Sequence, residues 1–420
     1  MRASFRPVAT GTASEPTDPI AAVTHPDPYP YYRRLATGGP IQFDQRLGLW
    51  VVSGHAAIGA VLTSPAMRTR PVAERVPAGL VGTATGDVFA RLVRMTDGAR
   101  SQEVRNALRV ALAMVPPEDA WRLADETAVR VFARAIASGD PDWPTGMLFA
   151  LPVTVMGALL GLSGPALDGL TELVRPFAAA IAPAPFTGSA SVGNRAIHDL
   201  AGQIGALLDP SPGRTPRLLG AFVQQAEAAG AAERATIVAN AIGLLFQSLD
   251  ATAGLIGNTL RALASRPNLL AMVTAEPDRL ARIIDETLRH DPPVQNTRRF
   301  FAETTTVAGQ VIEAGATLLL LLASANRDPA AFSDPDLFDP NRDNSQTALT
   351  FGLGPHRCPG QQLARSIALA GITHGIRHDL ADPRVFATPR FVPSPNARVP
   401  ILTAPEPQAA YHLGYPGRTP

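Results

Sequence analysis

The sequence contains a single cysteine, Cys358, among its 420 residues. An intramolecular disulfide is therefore excluded, and the thiol has to be judged by its own surroundings. Charge is also scarce: only 17% of the residues are charged, and the 37 basic residues nearly balance the 36 acidic ones. A net charge of +1 gives no reason to expect nucleic acid or an anionic membrane as a partner. We expect a small organic molecule instead.

Long hydrophobic runs are absent from both ends of the sequence. Neither end contains the roughly 18 consecutive apolar residues of a membrane anchor, and the N-terminal segment lacks the apolar core of a secretory signal. We therefore expect a cytoplasmic protein that does not contact a membrane. Residues 1–25 are rich in Pro, Thr, Ser and Ala, which predicts a flexible leader. The expected organisation is this leader, one domain over residues 26–405 and a C-terminal tail over residues 406–420.

Helical periodicity dominates the middle of the chain, from about residue 101 to residue 286. The longest predicted helix covers residues 232–265 and would be about 50 Å long at the usual rise per residue. Its centre is apolar on nearly every face, as expected of a helix that crosses the interior of a large domain. Strand-like segments are short and lie at residues 48–53, 299–312 and 317–322. The sequence predicts a mainly α fold with small β-sheets.

Cys358 lies in a glycine-rich segment just before a predicted helix that begins at Gln361. Gly352, Gly354 and Gly360 allow tight or left-handed backbone conformations and a close approach to a flat ligand. Amides at the N-terminus of the following helix can point at the sulfur and favour the thiolate. Such a thiolate is a suitable axial ligand for haem iron. The alternative is a structural cysteine buried in a turn.

The ten residues 351–360 read Phe-Gly-Leu-Gly-Pro-His-Arg-Cys-Pro-Gly. They resemble the haem-binding signature of the cytochromes P450, Phe-Gly-x-Gly-x-His-x-Cys-x-Gly, at every fixed position. Other motifs of that family precede it in the family's order, Glu286-Thr-Leu-Arg289, Asn326-Arg-Asp-Pro329 and Phe338-Asp-Pro-Asn-Arg342. The resemblance covers essentially residues 26–405. It implies a triangular prism whose long helix crosses the distal face of haem b, an iron protoporphyrin IX bound through Cys358.

The resemblance also implies roles for single residues. In the cysteine loop, Phe351, Gly352 and Gly360 would surround the haem. Three cations correspond to those that hold the haem propionates, Arg105, Arg299 and His356. The family usually has a histidine four residues before the arginine that corresponds to Arg105. The present chain has Ser101 there, so one propionate contact is expected to be weaker. Three residues correspond to the buried charged cluster that braces the cysteine loop, Glu286, Arg289 and Arg342.

The long helix departs from the family where it would cross the haem. The family typically reads Ala-Gly-x-Glu/Asp-Thr-Thr, and this chain reads Gln247-Ser-Leu-Asp-Ala-Thr252, so Asp250 keeps the acid and Ala251 replaces the alcohol. In the family that alcohol helps to deliver protons during dioxygen activation. A substrate hydroxyl or amide, Ser248 with water, or Thr252 after a local distortion would substitute for it. Ser248 and Thr252 also have a structural alternative, a hydrogen bond to a carbonyl one turn back.

Five residues are expected to contact the substrate, Gln247, Val294, Gln295, Asn296 and Asn396. Because four of them carry amides, we expect a substrate with amide or hydroxyl groups. The resemblance implies a haem-thiolate monooxygenase or oxidase of secondary-metabolite (antibiotic) biosynthesis. Substrate-assisted hydroxylation and oxidative C–C or C–N coupling, for example of aromatic cyclic dipeptides, both fit.

The chain has no reductase domain, so an external ferredoxin with its NAD(P)H reductase would supply electrons, docking near Arg357 and Arg365. We expect a monomer. Two alternatives are a haem-binding sensor or scaffold without turnover, and an oxidase driven by peroxide.

Overall fold

The computed structural model of the protein describes residues 14–183, 187–209 and 217–404. Helices account for most of these residues. Those found there are α1 (Tyr29–Thr37), α2 (His55–Thr63), α3 (Ala84–Arg91), α4 (Ala99–Ala113), α5 (Pro117–Ala137), α6 (Trp143–Leu160), α7 (Pro165–Asp168), α8 (Leu170–Ala180), α9 (Ala190–Leu207), α10 (Arg217–Ala228), α11 (Arg234–Ala264), α12 (Pro267–Ala275), α13 (Leu280–His290), α14 (Leu322–Ala325) and α15 (Gln361–Arg377).

Short strands form two small sheets. The strands are β1 (Ile41–Asp44), β2 (Leu49–Val52), β3 (Met67–Arg68), β4 (Thr297–Phe301), β5 (Thr305–Val307), β6 (Gln310–Ile312) and β7 (Thr317–Leu320). The larger sheet has the order β1-β2-β7-β4-β3, in which only β2 and β7 pair in parallel. Strands β5 and β6 form a separate hairpin. The predicted mainly α class with small sheets is confirmed.

Helix α11 is the longest helix, with 31 residues. It begins two residues later than the prediction and ends one residue earlier. Most of its residues are buried because it crosses the interior, packing against α6 and α15 among others. Its small residues allow close approaches: a Cβ at Gly254 would lie 2.6 Å from the carbonyl oxygen of Arg398. This approach brings the turn over residues 393–398 against the helix.

Helices α6 and α11 are long and apolar enough to cross a membrane by composition alone. In the fold, 61% and 78% of their apolar windows are buried, respectively. Burial of this extent is expected of core helices, which form the centre of the largest hydrophobic cluster. A second cluster lies between the larger sheet and α2, and a third packs α1 on the same sheet.

The N-terminal boundary of the fold lies earlier than the predicted residue 26. Ala22 and Val23 are fully buried, and Arg398 donates hydrogen bonds to the carbonyl oxygens of Val23 and His25 at 2.8 and 2.7 Å. Composition alone missed this, because the burial is created by an arginine far along the chain. The first part of the predicted leader, residues 1–13, and the predicted tail, residues 406–420, lie outside the described residues.

Candidate functional site

The cysteine loop, residues 350–360, connects the sheet side of the molecule to α15. The Cys358 amide donates to the Phe351 carbonyl oxygen at 2.8 Å, which closes the loop on itself. Gly352 and Gly354 have φ values of 69° and 67°, a left-handed region that favours glycine. A Cβ at Gly354 would also lie 2.5 Å from the Leu62 carbonyl oxygen. Two of the predicted loop glycines are therefore required by the backbone itself.

Cys358 is half-buried at the centre of this loop. Burial raises the pKa of the Cys358 thiol, and this effect outweighs the Gly360 amide and the charges of Arg94, Arg365 and Arg357, which lower it. The Gly360 amide does lower the pKa of this thiol, in the direction that the sequence predicts, but burial has the larger effect in the protein by itself. Coordination by a metal ion deprotonates a thiol outright, so a bound iron would supply the missing stabilisation.

The predicted charged cluster comes together behind the loop. Glu286 accepts two hydrogen bonds from Arg289, at 2.6 Å from Nη2 and 2.9 Å from Nε, and both side chains are fully buried. Arg342 approaches the same carboxylate at 3.6 Å. The Ser345 hydroxyl and the Asp339 amide also donate to Glu286, at 3.1 and 2.9 Å. Glu286 is thus held by charge and by hydrogen bonds on both oxygens.

The cluster reaches the cysteine loop through Asn326 and Thr350. Arg289 donates to the Asn326 carbonyl oxygen at 3.0 Å. The Asn326 side chain donates to the Thr350 hydroxyl at 2.8 Å and accepts from the Leu349 amide at 2.7 Å. Thr350 begins the loop, so the position of the cysteine is tied to the buried ion pair through this chain of hydrogen bonds.

The predicted propionate cations lie on three separate elements, and each has protein partners. Arg105 on α4 donates to the carbonyl oxygens of Val93 and Thr96 at 2.7 and 2.8 Å. His356 pairs with Asp97, with 2.9 Å between Nε2 and Oδ1. Burial alone would raise the pKa of Asp97, but hydrogen bonds from His356 and Thr69 outweigh it and lower the pKa to about 2.

Arg299 on β4 carries an orphaned donor. Its Nη1 donates to the Thr297 hydroxyl and the Arg298 carbonyl oxygen at 2.7 Å each, whereas its Nε is buried without a partner among the described residues. Burial and the charge of Arg94 lower the pKa of Arg299 to about 10. A buried, unpartnered guanidinium donor needs an anion. With one thiol and several convergent cations, the residues present fit haem, and Ser101 lies in the first turn of α4 beside them.

Sequence reasoning missed two residues of this cluster, Arg94 and Asp97. Both lie in residues 92–98, the connection between α3 and α4. The charge of Arg94 acts on the pKa of Cys358 and of Asp250, so it lies between the cysteine loop and α11. The available signal was an arginine between apolar neighbours, in the run Leu92-Val-Arg-Met95.

Asp250 lies on α11, across from the cysteine loop. Burial raises the pKa of Asp250, and the charges of Arg175 and Arg94 offset this only in part. The Ser248 hydroxyl donates to the Leu245 carbonyl oxygen at 2.8 Å, so the structural alternative for Ser248 is the one observed. Thr252 is buried, and no described residue hydrogen-bonds to its hydroxyl. Ala251 is half-buried between them.

The five residues predicted to contact substrate divide into two groups. Gln295 and Asn296 are buried, and they hold neighbouring backbone: Gln295 Nε2 donates to the Pro292 carbonyl oxygen at 2.7 Å, and Asn296 Nδ2 to that of Pro395 at 3.0 Å. Gln247 bonds within its own helix, to the Gly243 carbonyl oxygen at 2.7 Å. Val294 and Asn396 are half-buried on adjacent turns, joined by the bridge from Val294 to Ala397. Only these last two keep side chains free of such bonds among the described residues.

Of the two predicted docking cations, one lies in the cysteine loop and the other on α15. Arg357 is exposed. Arg365 pairs with Asp285, with 2.8 Å between Nε and Oδ1, and its guanidinium lies 4.9 Å from the centre of the Phe351 ring. One of the two charges is therefore already engaged within the protein.

Comparisons with known proteins agree with this geometry. Residues 207–378 match the family model described as Cytochrome P450. The chain is 29% identical over 371 residues to the cytochrome P450 monooxygenase PikC of Streptomyces venezuelae, covering 84% of this chain and 85% of PikC. It is 28% identical over 362 residues to Cytochrome P450 144 of Mycobacterium tuberculosis, covering 81% and 80%. The epothilone B-bound structure of cytochrome P450epoK superposes with a TM-score of 0.76 at 24% identity, covering 94% of this chain and 100% of that one, which supports the fold.

Proposed function

The chain belongs to the cytochrome P450 superfamily, and from this premise we propose that it oxidises a hydroxyl- or amide-bearing small molecule of secondary metabolism. Cys358 binds the iron of haem b, and an external ferredoxin supplies electrons. One observation carries the proposal: Asp250, a half-buried carboxylic acid on α11, has no hydrogen-bond donor among the described residues, and the charge of Arg94 acts both on its pKa and on that of Cys358. An acid in that position is suited to passing protons.

Haem, when bound, supplies the activation of dioxygen. The protein has to hold the proximal sulfur, exclude competing water and deliver protons. Cys358 is fixed by the Phe351 carbonyl oxygen and by the buried Glu286 pair behind the loop. This rigidity keeps the sulfur in one place while the distal side exchanges protons and substrate.

Asp250 acts as the proton donor on the distal side. Because burial raises the pKa of Asp250, the carboxyl keeps its proton to a higher pH than an exposed aspartate does and can release it to an oxygen held nearby. The Ser248 hydroxyl donates its hydrogen to the Leu245 carbonyl oxygen. Its oxygen can therefore accept a hydrogen bond from a proton donor, but the hydroxyl does not itself donate along the proton path. A further hydroxyl is needed to complete the chain.

We infer that the substrate brings this hydroxyl or an amide. Ala251 contributes only a methyl group where related chains have an alcohol, which leaves room for a substrate group beside Asp250. Cytochrome P450epoK has been solved with epothilone B bound, and PikC of Streptomyces venezuelae is a monooxygenase. A compact natural product with a hydroxyl or amide near the oxidised carbon is therefore the substrate class, with hydroxylation or ring coupling as the outcome.

The electron donor is proposed to dock on the face outside the cysteine loop. Arg357 is exposed there, and an acidic ferredoxin would complement its charge. All 37 basic residues of the chain are arginines. Guanidinium groups can pair with carboxylates through two parallel hydrogen bonds, which suits a transient complex of defined orientation.

The reduced carbon monoxide difference spectrum tests the iron ligand first. The unaltered protein should give the band that thiolate ligation produces, and Cys358→Ala should lose it. Haem binding and the band surviving in Cys358→Ala would refute the assignment.

Product mass then tests the activity. The holoenzyme is incubated with a surrogate ferredoxin, its reductase, NADPH and a panel of cyclic dipeptides and macrolides. A gain of one oxygen atom indicates hydroxylation, and loss of two hydrogens indicates coupling; either supports the proposal. Product formed with peroxide alone would show that peroxide, and not a ferredoxin, drives the reaction. The absence of product with every donor would favour a sensor.

A further inference from the structure

Arg94 has a rigid backbone and a free side chain. The Val93 amide donates to the Asn240 side chain on α11 at 3.0 Å, and the carbonyl oxygens of Val93 and Thr96 accept from Arg105 at 2.7 and 2.8 Å. Asp97 follows, tied to His356 at 2.9 Å. The backbone on both sides of Arg94 is thus fixed to α11, to α4 and to the cysteine loop.

The guanidinium of Arg94, in contrast, has no hydrogen bond or ion pair with any residue that the structure describes. Its Cζ lies 5.9 Å from the centre of the Phe246 ring on α11. Arg94 is exposed in this structure, although burial is the main influence that lowers the pKa of its guanidinium. The charge of Arg94 acts on the pKa of Cys358 and on that of Asp250, so the guanidinium lies near both the cysteine loop and α11. An unpaired guanidinium there is available to an anion.

A second unsatisfied cation lies nearby. Arg299 has a buried Nε without a partner among the described residues, and burial, together with the charge of Arg94, lowers the pKa of Arg299. Two neighbouring guanidinium groups that repel each other and lack a common partner form a site for one carboxylate between them. Arginine presents parallel N–H donors that match a carboxylate.

We propose that Arg94 binds a haem propionate, together with Arg299, and replaces the histidine that related chains carry where this one has Ser101. Ser101 is neutral and its hydroxyl has no hydrogen bond within the described ranges. The chain thus has a neutral residue in the first turn of α4 and a cation seven residues earlier, on the connection that Arg105 fixes. The inference rests on haem binding alone and does not depend on which substrate is oxidised.

The test compares Arg94→Gln with Arg100→Gln in the holoenzyme. Arg100 is exposed, one turn from Arg105, and bonds to the Gly230 carbonyl oxygen at 3.0 Å, so it controls for the loss of one positive charge. The propionate bending bands of the resonance Raman spectrum should shift in Arg94→Gln and not in Arg100→Gln. Transfer of haem to excess apomyoglobin should become roughly tenfold faster in Arg94→Gln, as expected for loss of a charged hydrogen bond.

Arg94→Lys provides a variant that keeps the charge and loses the paired donors. It should retain haem better than Arg94→Gln and still show shifted propionate bands, because a single ammonium cannot reproduce the fork. Unchanged bands and an unchanged transfer rate in both variants would overturn the proposal.

A third measurement distinguishes a propionate from a carboxylate on the substrate. Dodecanoic acid and dodecanamide are titrated into each holoenzyme, and the spin-state change of the haem is followed. The ratio of the two affinities should be the same in the unaltered protein and in Arg94→Gln. If Arg94→Gln changes only this ratio, and leaves haem transfer and the propionate bands as they were, Arg94 binds substrate and the proposal is wrong.

Discussion

The two sides of the proposed haem site are built in opposite ways. Behind the cysteine loop, the Glu286 carboxylate accepts hydrogen bonds from Arg289, Ser345 and the Asp339 backbone amide. On α11, the Asp250 carboxyl has only the distant charges of Arg175 and Arg94. The proximal charge is paired and the distal charge is not.

This difference indicates a structural role for the Glu286 carboxylate and a role in the chemistry for the Asp250 carboxyl. A buried charge with all of its partners contributes rigidity, because removing any one of them leaves the others stranded. An acid without hydrogen-bond partners in the protein can exchange its proton with a ligand, because no protein group depends on its protonation state.

The largest effect is expected from breaking the proximal pair. Glu286→Gln leaves Arg289 and Arg342 without their anion in a fully buried site, which should lower the free energy of unfolding by about 3–5 kcal/mol. Urea unfolding of the holoenzyme measures this. The control is Glu276→Gln, whose ion pair with Arg279 is exposed and should be worth less than about 1 kcal/mol. Equal losses in the two variants would show that the buried cluster does not brace the loop.

The sequence predicted the proximal side far better than the distal side. The helix over Gln361–Arg377 and the meeting of Glu286 with Arg289 follow from helical spacing and local motifs, and the structure has both. Gln295 and Asn296 are predicted from the sequence as substrate contacts, and the sequence did not reveal that their amide nitrogens also hold the backbone of adjacent turns. The bonds of an amide side chain depend on which turns the fold brings together, and no local pattern reports that.

Arg94 was missed for the same reason. An arginine within an apolar stretch is ambiguous in sequence, since its long side chain can usually reach solvent. What makes it unusual is the fixation of residues 92–98 from α11, from Arg105 and from His356. These partners lie about 10 to 260 residues away in sequence, so only the folded chain brings them together around residues 92–98.

On the distal side, Asp250→Asn should lower the rate of product formation roughly 10²-fold, the usual contribution of a positioned acid. The amide keeps the shape of the side chain and cannot release a proton. Stability and the carbon monoxide difference spectrum should not change, because Asp250 has no hydrogen-bond partner to lose. Asp168→Asn on the exposed helix α7 is the matched control. An unchanged rate in Asp250→Asn would mean that protons reach the site by another route.

A smaller effect is expected from Arg175→Gln. The positive charge of Arg175 lowers the pKa of Asp250 against the effect of burial, so its removal should move that pKa upward. The rate of product formation should then keep its low-pH value up to a higher pH, displaced by less than about one pH unit because Arg175 is exposed to solvent. The pH profile of product formation, compared with that of Arg134→Gln, measures the displacement. A downward displacement would contradict the proposed protonation of Asp250.

The smallest effect should come from returning the alcohol that this chain lacks. If the substrate supplies the hydroxyl beside Asp250, a hydroxyl in Ala251→Thr is redundant, and inside a helix it can bond to the carbonyl one turn back, so product per NADPH should change by less than about threefold. The ratio of product to NADPH consumed, with released hydrogen peroxide, measures this coupling. A rise of tenfold or more would show that the distal side lacks a proton-carrying group that the substrate does not replace. In that case the unpaired Asp250 would be an incomplete relay, and the contrast with the fully partnered Glu286 would reflect loss of function on one side of the site.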